Sequence, residues 1–360
     1  MHAGGDPSLG SKGGAAPRAL RNGPRACARG RFVSYGRDIV HDVLQRPAGL
    51  RLQSFHGIYT VAPQIEALFA TLRRVARADC TVLLGGETGT GKELVARAIH
   101  AESPRRKAPF QAVNCATFSP TLLESELFGH VRGAFTGAVR DREGLFVLAA
   151  RGSLFLDEIA EIPLDLQGKL LRVMQEKTFI PVGATRPITV DVRVISATNK
   201  SLRREVADGR FREDLSYRMR VVPLSLPPLR ERQGDVEALF WHFVDGMNRG
   251  GLRRIEGVTR TAMDAIRSYS WPGNVRELRS AVEYAFVVGE GPILDVGDLL
   301  PELRGEPPPG TPGPWLADNN ERERTLAALA KHRGRRAAAA AELGISRSTL
   351  WRRLYTYRLR

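Results

Sequence analysis

The stretch Thr81-Val-Leu-Leu84 runs directly into Gly86-Glu87-Thr88-Gly89-Thr90-Gly91-Lys92-Glu93, and a helical pattern over Leu94 to His100 follows. Few segments restrict a chain so tightly. A buried strand, a glycine-rich loop and a helix in that order put the loop at the end of a sheet strand, with the unpaired N–H groups of the helix start beside it. Gly86, Gly89 and Gly91 let the backbone around Glu87, Thr88 and Thr90 wrap phosphates, and Lys92 reaches the β- and γ-phosphates, which is the P-loop arrangement. Glu93 departs from the general pattern, in which Ser or Thr follows the lysine and meets magnesium. On its own, the segment could still be a glycine-rich strand-to-helix turn.

The surrounding pattern favours the phosphate reading. Ser153 to Leu156 reads as a second buried strand and ends in Asp157-Glu158. An acidic pair at that position is what ATP hydrolysis needs: Asp157 to hold Mg2+ and Glu158 to polarise the attacking water. Strand patterns at Phe110 to Val113 and at Val190 to Ile195 alternate with helical ones at Pro63 to Val75, Ser119 to Phe128 and Pro163 to Glu176. Such alternation predicts an α/β fold with a mostly parallel sheet and helices on both faces. Beyond Pro227 strand patterns vanish, which predicts a helical lid up to Leu303.

Charge divides the chain differently. The net charge is +15, yet the first fifty residues hold eight bases against three acids and the last forty hold eleven against three. The 270 residues between are near neutral, so the ends are where a polyanion would bind. Residues 1–50, rich in Gly, Ala, Pro and Arg, are expected to be largely disordered. Three cysteines without a CxxC spacing exclude a disulfide framework or zinc site, and Cys80 and Cys115 read as small apolar residues. The absence of a signal pattern and of any long apolar run predicts a cytoplasmic protein without membrane contact.

From about Phe55 to Leu303 the chain resembles the AAA+ ATPase domain of the NtrC family of bacterial enhancer-binding proteins, the activators of sigma-54 RNA polymerase. Glu93 after the lysine is usual there. The most specific segment is Glu124-Ser-Glu-Leu-Phe-Gly-His130 with Gly133-Ala134-Phe135-Thr136-Gly137-Ala138, which in the family tips a surface loop that touches the sigma factor. A large apolar Phe135 among small residues suits a partner surface. The resemblance further implies that Asn114 holds Glu158 out of position until the ring engages, and that Thr198-Asn199 senses the γ-phosphate. It makes Arg212 and Arg218 arginine fingers entering a neighbouring subunit's site, and directs lid residue Arg276, in Trp271-Pro-Gly-Asn-Val-Arg276, at the nucleotide.

The C-terminal unit reads independently. Arg335-Arg336 opens an alanine-rich helix, Leu343-Gly-Ile-Ser346 turns the chain, and Arg347-Ser348-Thr349-Leu-Trp-Arg352-Arg353-Leu-Tyr355 forms a basic amphipathic helix. With Ser346 as N-cap and Leu350 and Leu354 inward, this is a helix-turn-helix whose second helix enters the major groove, similar to the Fis-type domain of the family. Arg347, Ser348, Thr349 and Arg352 would face bases or phosphates, and Arg335, Arg336 and Arg353 phosphates. The expected domains are thus an ATPase core (55–225), a helical lid (226–304), a Pro/Gly linker (305–317) and a helix-turn-helix (318–360). The expected function is a sigma-54-dependent activator: it binds enhancer DNA, assembles into a homo-oligomeric ring, hexameric in the family's manner, and uses ATP to open the polymerase holoenzyme's closed complex. A passive repressor with a vestigial ATPase and a AAA+ DNA-remodelling motor are the rivals; intact Lys92, Asp157, Glu158, Arg212 and Arg218 weigh against the first, the complete Gly133–Ala138 loop against the second. No receiver-like segment precedes the core, so control could come from a regulatory protein acting in trans, from expression level, or from an upstream portion lost through a misplaced start codon.

Overall fold

The computed structural model describes residues 43–251 and 253–306, and in the C-terminal unit 325–326, 328–329, 331–332, 336–343 and 350. At its centre lies a five-stranded parallel sheet, ordered Val222–Ser225, Val82–Gly85, Arg193–Thr198, Ser153–Asp157, Phe110–Asn114. Alternate residues of one strand leave by opposite faces. Leu83, Leu154, Leu156 and Val194 join one core with Phe128, Phe146, Leu170 and Leu215. Val82, Leu84, Phe155, Ile195 and Ala197 join the other with Ile65, Phe69, Val95 and Ile99. The central strand Arg193–Thr198 is buried along its whole length, as expected for a strand covered on both faces.

Helix Pro63–Arg77 illustrates how the sequence makes its elements. Pro63 fits the first turn, and Ile65, Phe69, Leu72, Val75 and Ala76 form the buried stripe. The buried Arg193 guanidinium lies against its C-terminus, donating to the carbonyls of Val75 (2.8 Å) and Ala76 (2.7 Å) in the last turn and of Cys80 (3.1 Å) beyond it, and so supplements the backbone cap from Ala78 N–H to the Val75 carbonyl (3.2 Å). The expected Val190–Ile195 strand is shifted: pairing starts at Arg193, while Val190 and Val192 already lie in the core. Burial, not pairing, produced the alternation there.

The lid packs helices Asp235–Asn248, Arg260–Ser268 and Asn274–Val288 around Phe240, Trp241, Val258, Met263, Trp271 and Val282. Two expectations are corrected in this region. Strands do not vanish after Pro227, because Gly257–Thr259 pairs with Ile293–Leu294. The reading of residues 1–50 as largely disordered extends too far, because Val43–Leu44 adds an antiparallel strand to Gly257–Thr259; residues 1–42 lie outside the described residues. Two- and three-residue strands carry too short a pattern to register as periodicity. In the C-terminal unit Leu350 is buried with Ala328, Ala339 and Ala340, as the helical hairpin requires, and Leu354 lies outside the described residues. No helix among the described residues is long and apolar enough to cross a membrane.

Candidate functional site

Parallel strands end on one side, and here that shared edge gathers the chemistry. Gly85 leads into the phosphate loop, and the register sets Thr198 opposite Gly85 and Asn114 opposite Asp157. Gly86, Gly89 and Gly91 have φ of 156°, 81° and 99°. At Gly89 a side chain is excluded twice over, since a Cβ would also lie 2.1 Å from the Gly273 carbonyl oxygen. The helix Lys92–Ala101 begins at the lysine itself, so its first N–H groups face the loop. Thr90 Oγ1 donates to the Glu87 carbonyl at 2.8 Å, closing the loop upon itself. Lys92 is buried, with Nζ donating to the carbonyls of Gly86 (2.9 Å) and Glu87 (3.2 Å) and standing 3.9 Å from Glu158 Oε1. Its neighbour Glu93 points elsewhere, accepting from Arg97 at 2.8 Å.

The acidic pair is arranged less simply than expected. Asn114 Nδ2 donates to Asp157 Oδ2 (3.3 Å), not to Glu158, because strand register sets it beside Asp157. Glu158 takes a left-handed φ of 51° that turns it off the strand; its Oε2 accepts the Asn199 backbone N–H at 3.2 Å. Asn199 Nδ2 also reaches Thr88 Oγ1 at 3.4 Å. Thr198, expected to share the sensing role, is buried, with its hydroxyl accepting the Lys200 N–H (3.0 Å) and its carbonyl accepting the Gly86 N–H (3.2 Å). It ties the sensor strand to the loop, leaving Asn199 as the side chain that faces it. Beneath the pair, burial and the charges of Asp157 and Glu158 push the Cys115 thiol up to about 12, so it stays protonated and inert.

The lid residues that hold the loop were not found from the sequence. Glu87, expected among the phosphate-binding residues, sends its carboxylate to Arg230 and Asn274 of the lid. The Arg230 hydrogen bonds, then that from Asn274, hold this carboxyl down to about 2. The buried Arg232 donates to the Thr90 carbonyl at 2.9 Å, and Asp235 accepts from Thr60 Oγ1 and the N–H groups of Val61 and Ala62 at 2.7 to 3.1 Å. Arg276 is exposed, with its Cβ 3.3 Å from where a Gly89 side chain would begin. Only the positive charge of Arg230 and Arg232 after a proline-rich turn could have signalled such partners.

The Gly133–Ala138 loop tips a hairpin of Gly129–His130 and Arg142–Glu143; Gly144 caps the following short helix. It is closed by Gly133 N–H to the Ala138 carbonyl (2.9 Å) and Ala138 N–H to the Phe135 carbonyl (3.0 Å), and braced where Val131 N–H meets the Val182 carbonyl (3.1 Å). Phe135 is not fully exposed: it lies half-buried, edge-on to His130 with ring centroids 4.9 Å apart, and His130 Nδ1 is 2.7 Å from Ser125 Oγ. Thr136 is exposed, and Val139 is the open apolar residue at 80%.

Arg212 and Arg218 are exposed, the first paired with Asp214 at 2.8 Å and the second donating to the Met174 carbonyl at 3.3 Å. Neither bond reaches the phosphate loop of its own chain. Arg336 is exposed at the start of helix Arg336–Glu342. Arg335, Ser346, Arg347, Ser348, Thr349, Arg352 and Arg353 lie outside the described residues.

Comparison with known proteins matches residues 58–225 to the sigma-54 interaction domain, 230–313 to an AAA+ ATPase lid domain and 318–357 to the Fis family of bacterial regulatory proteins. The transcriptional regulatory protein ZraR of Klebsiella oxytoca is 45% identical over 302 residues, covering 83% of this chain and 68% of that one. The regulatory protein AtoC of Escherichia coli is 44% identical over 310 residues, covering 83% and 67%. Among solved structures, NtrX from Brucella abortus in complex with ATP is similar with a TM-score of 0.63 at 34% identity, over 83% of this chain and 68% of that one.

Proposed function

This chain belongs to the sigma-54-dependent activators, with an AAA+ P-loop NTPase core and a Fis-type DNA-binding domain, and on that premise we propose that it binds enhancer DNA, assembles into a ring, a hexamer in our reading, and spends ATP hydrolysis on converting the sigma-54 polymerase closed complex into an open one. The observation that carries this reading is the complete Gly133–Ala138 loop. Its hydrogen bonds run within the hairpin and to Val182, so its composition serves something other than chemistry on ATP, and an outward Thr136 beside a lightly parked Phe135 suits a protein partner.

In the ATP site, the loop N–H groups and Lys92 bind the phosphates, Glu158 takes up the proton of the attacking water, and Asn199 orients at the γ-phosphate. Among the described residues no three His, Cys, Asp or Glu side chains converge into a metal cage. Asp157, at the end of its strand beside the loop, would hold Mg2+, which would supply positive charge against the phosphates. Arg212 and Arg218 act on a neighbouring subunit's nucleotide, which suits their exposure and makes turnover depend on assembly. The exposed Arg336 and the basic segment after Ser346 carry the DNA contacts.

Thr136→Ala tests the function apart from the ATPase. An exposed loop residue of this kind should change stability by less than about 0.5 kcal/mol, and ATP turnover should stay within about twofold. The variant should nevertheless fail to hold sigma-54 with a transition-state analogue and fail to open the promoter. Normal promoter opening by Thr136→Ala, or a wild type that engages sigma-54 in no nucleotide state, would refute the reading.

A further inference from the structure

The phosphate loop carries a carboxylate, that of Glu87, and the lid answers it. Both Glu87 oxygens are taken by the Arg230 guanidinium, at 2.9 and 2.7 Å. Asn274 Nδ2 donates to Glu87 Oε2 at 3.2 Å and to the Thr88 carbonyl at 3.0 Å, while its Oδ1 accepts the Leu229 N–H at 2.7 Å. The next two loop residues are held as well: the Gly89 carbonyl by the Val275 N–H (3.1 Å) and the Thr90 carbonyl by Arg232 (2.9 Å). Four consecutive loop residues thus accept hydrogen bonds from the lid. Three do so through carbonyls, which any residue would offer. Only at Glu87 is the acceptor a charged side chain, and Glu87 and Arg230 are each about two fifths exposed.

We propose that Glu87 and Arg230 form a latch that couples lid position to phosphate binding, Glu87 serving as a positioning residue and Arg230 as the cation that cancels its charge at the loop. The proposal rests on the ATP-site reading. With the lid seated, the paired charges add little net field at the phosphates. With the lid displaced, a bare carboxylate remains on the loop and repels them, so lid opening itself drives nucleotide out. Asn274, with a left-handed φ of 53° at the head of the helix that carries Arg276, joins the same contact to the nucleotide-facing edge of the lid.

A tether and a charge-cancelling latch predict different things. A tether is weakened alike by losing either partner. In a latch the partners are unequal, because Arg230→Gln leaves an uncompensated anion beside the phosphates, whereas Glu87→Gln leaves a cation there. The test is equilibrium binding of fluorescent ATP and, in parallel, of uncharged adenosine to the full chain, in Arg230→Gln, Glu87→Gln, the double variant and Arg230→Lys. The expected result is an ATP Kd weakened ~10-fold in Arg230→Gln, a change under ~3-fold in Glu87→Gln, and recovery of most of the loss in the double variant. Arg230→Lys, which keeps the charge, should bind close to wild type, and adenosine affinity should follow none of these differences. Equal losses in the two single variants, or equal losses for ATP and adenosine, overturn the latch while leaving the ATP site intact. A wild type that binds no ATP overturns the site reading and the latch with it.

Discussion

Replacing Gly89 by alanine should open the lid without unfolding the core. Its φ of 81° costs a residue with a side chain about 1–2 kcal/mol. The added Cβ would then meet the Gly273 carbonyl oxygen at 2.1 Å, where ordinary contact begins at 3.4 Å, with Arg276 Cβ also close at 3.3 Å. Backbone on both sides leaves nothing flexible to yield, so the lid must withdraw by about 1 Å or more. Withdrawal breaks the Val275 N–H to Gly89 carbonyl bond and strains that of Asn274 to Thr88, at about 1 kcal/mol each. Of the sum, about 3–4 kcal/mol, the two bonds' share of about 2 kcal/mol falls on lid closure, because the lid keeps its own core around Trp271 and Val258. Gly91→Ala is the control: its φ of 99° is equally left-handed, but nothing lies within 4 Å of the added carbon, so it bears the backbone cost alone. Hydrogen exchange should show faster exchange at Val275 and ATP affinity at least ~10-fold lower in Gly89→Ala than in Gly91→Ala. Identical exchange and affinity in the two variants would refute the steric argument.

Glu158→Gln should retain ATP binding and lose hydrolysis by about 10²–10⁴-fold, whereas Lys92→Ala should weaken binding itself; equilibrium binding beside single-turnover hydrolysis separates the two, and normal turnover in Glu158→Gln would remove the residue from the chemistry. Burial holds the His100 imidazole, 2.9 Å from Ser153 Oγ, below its ordinary value of 6.5. A histidine harder to protonate folded than unfolded gives stability that is complete above about pH 6.5 and lost as pH falls through the folded value. Urea denaturation should therefore show lower stability at about pH 5.5 than at about pH 7.5, with part of the difference absent in His100→Gln; a variant with the wild-type pH dependence would exclude this histidine as the cause.

What could be read from the sequence was whatever is local along the chain. The loop Gly86–Glu93 names its own chemistry, because glycine conformation, the helix start and Lys92 act within eight residues of one another. Asp157 and Glu158 are readable for the same reason, since a strand end fixes where they emerge. Asn114 marks the limit: its place on the strand edge was legible, but whether it meets Asp157 or Glu158 depends on the pairing of two strands and on one left-handed residue. Composition suits Phe135 to a partner surface but says nothing of His130 packed edge-on against it. The lid contacts lie further still from any local signal, with Glu87 separated by 143 residues from Arg230 and by 187 from Asn274. Yet Glu87 is a carboxylate inside a phosphate-binding loop. An anion there must be cancelled, and the fold supplies the cation from the lid, which has a buried core of its own around Trp271 and Val258. That a charge unfavourable to binding stands where any polar residue could complete the loop is best understood if binding is meant to depend on where the lid is.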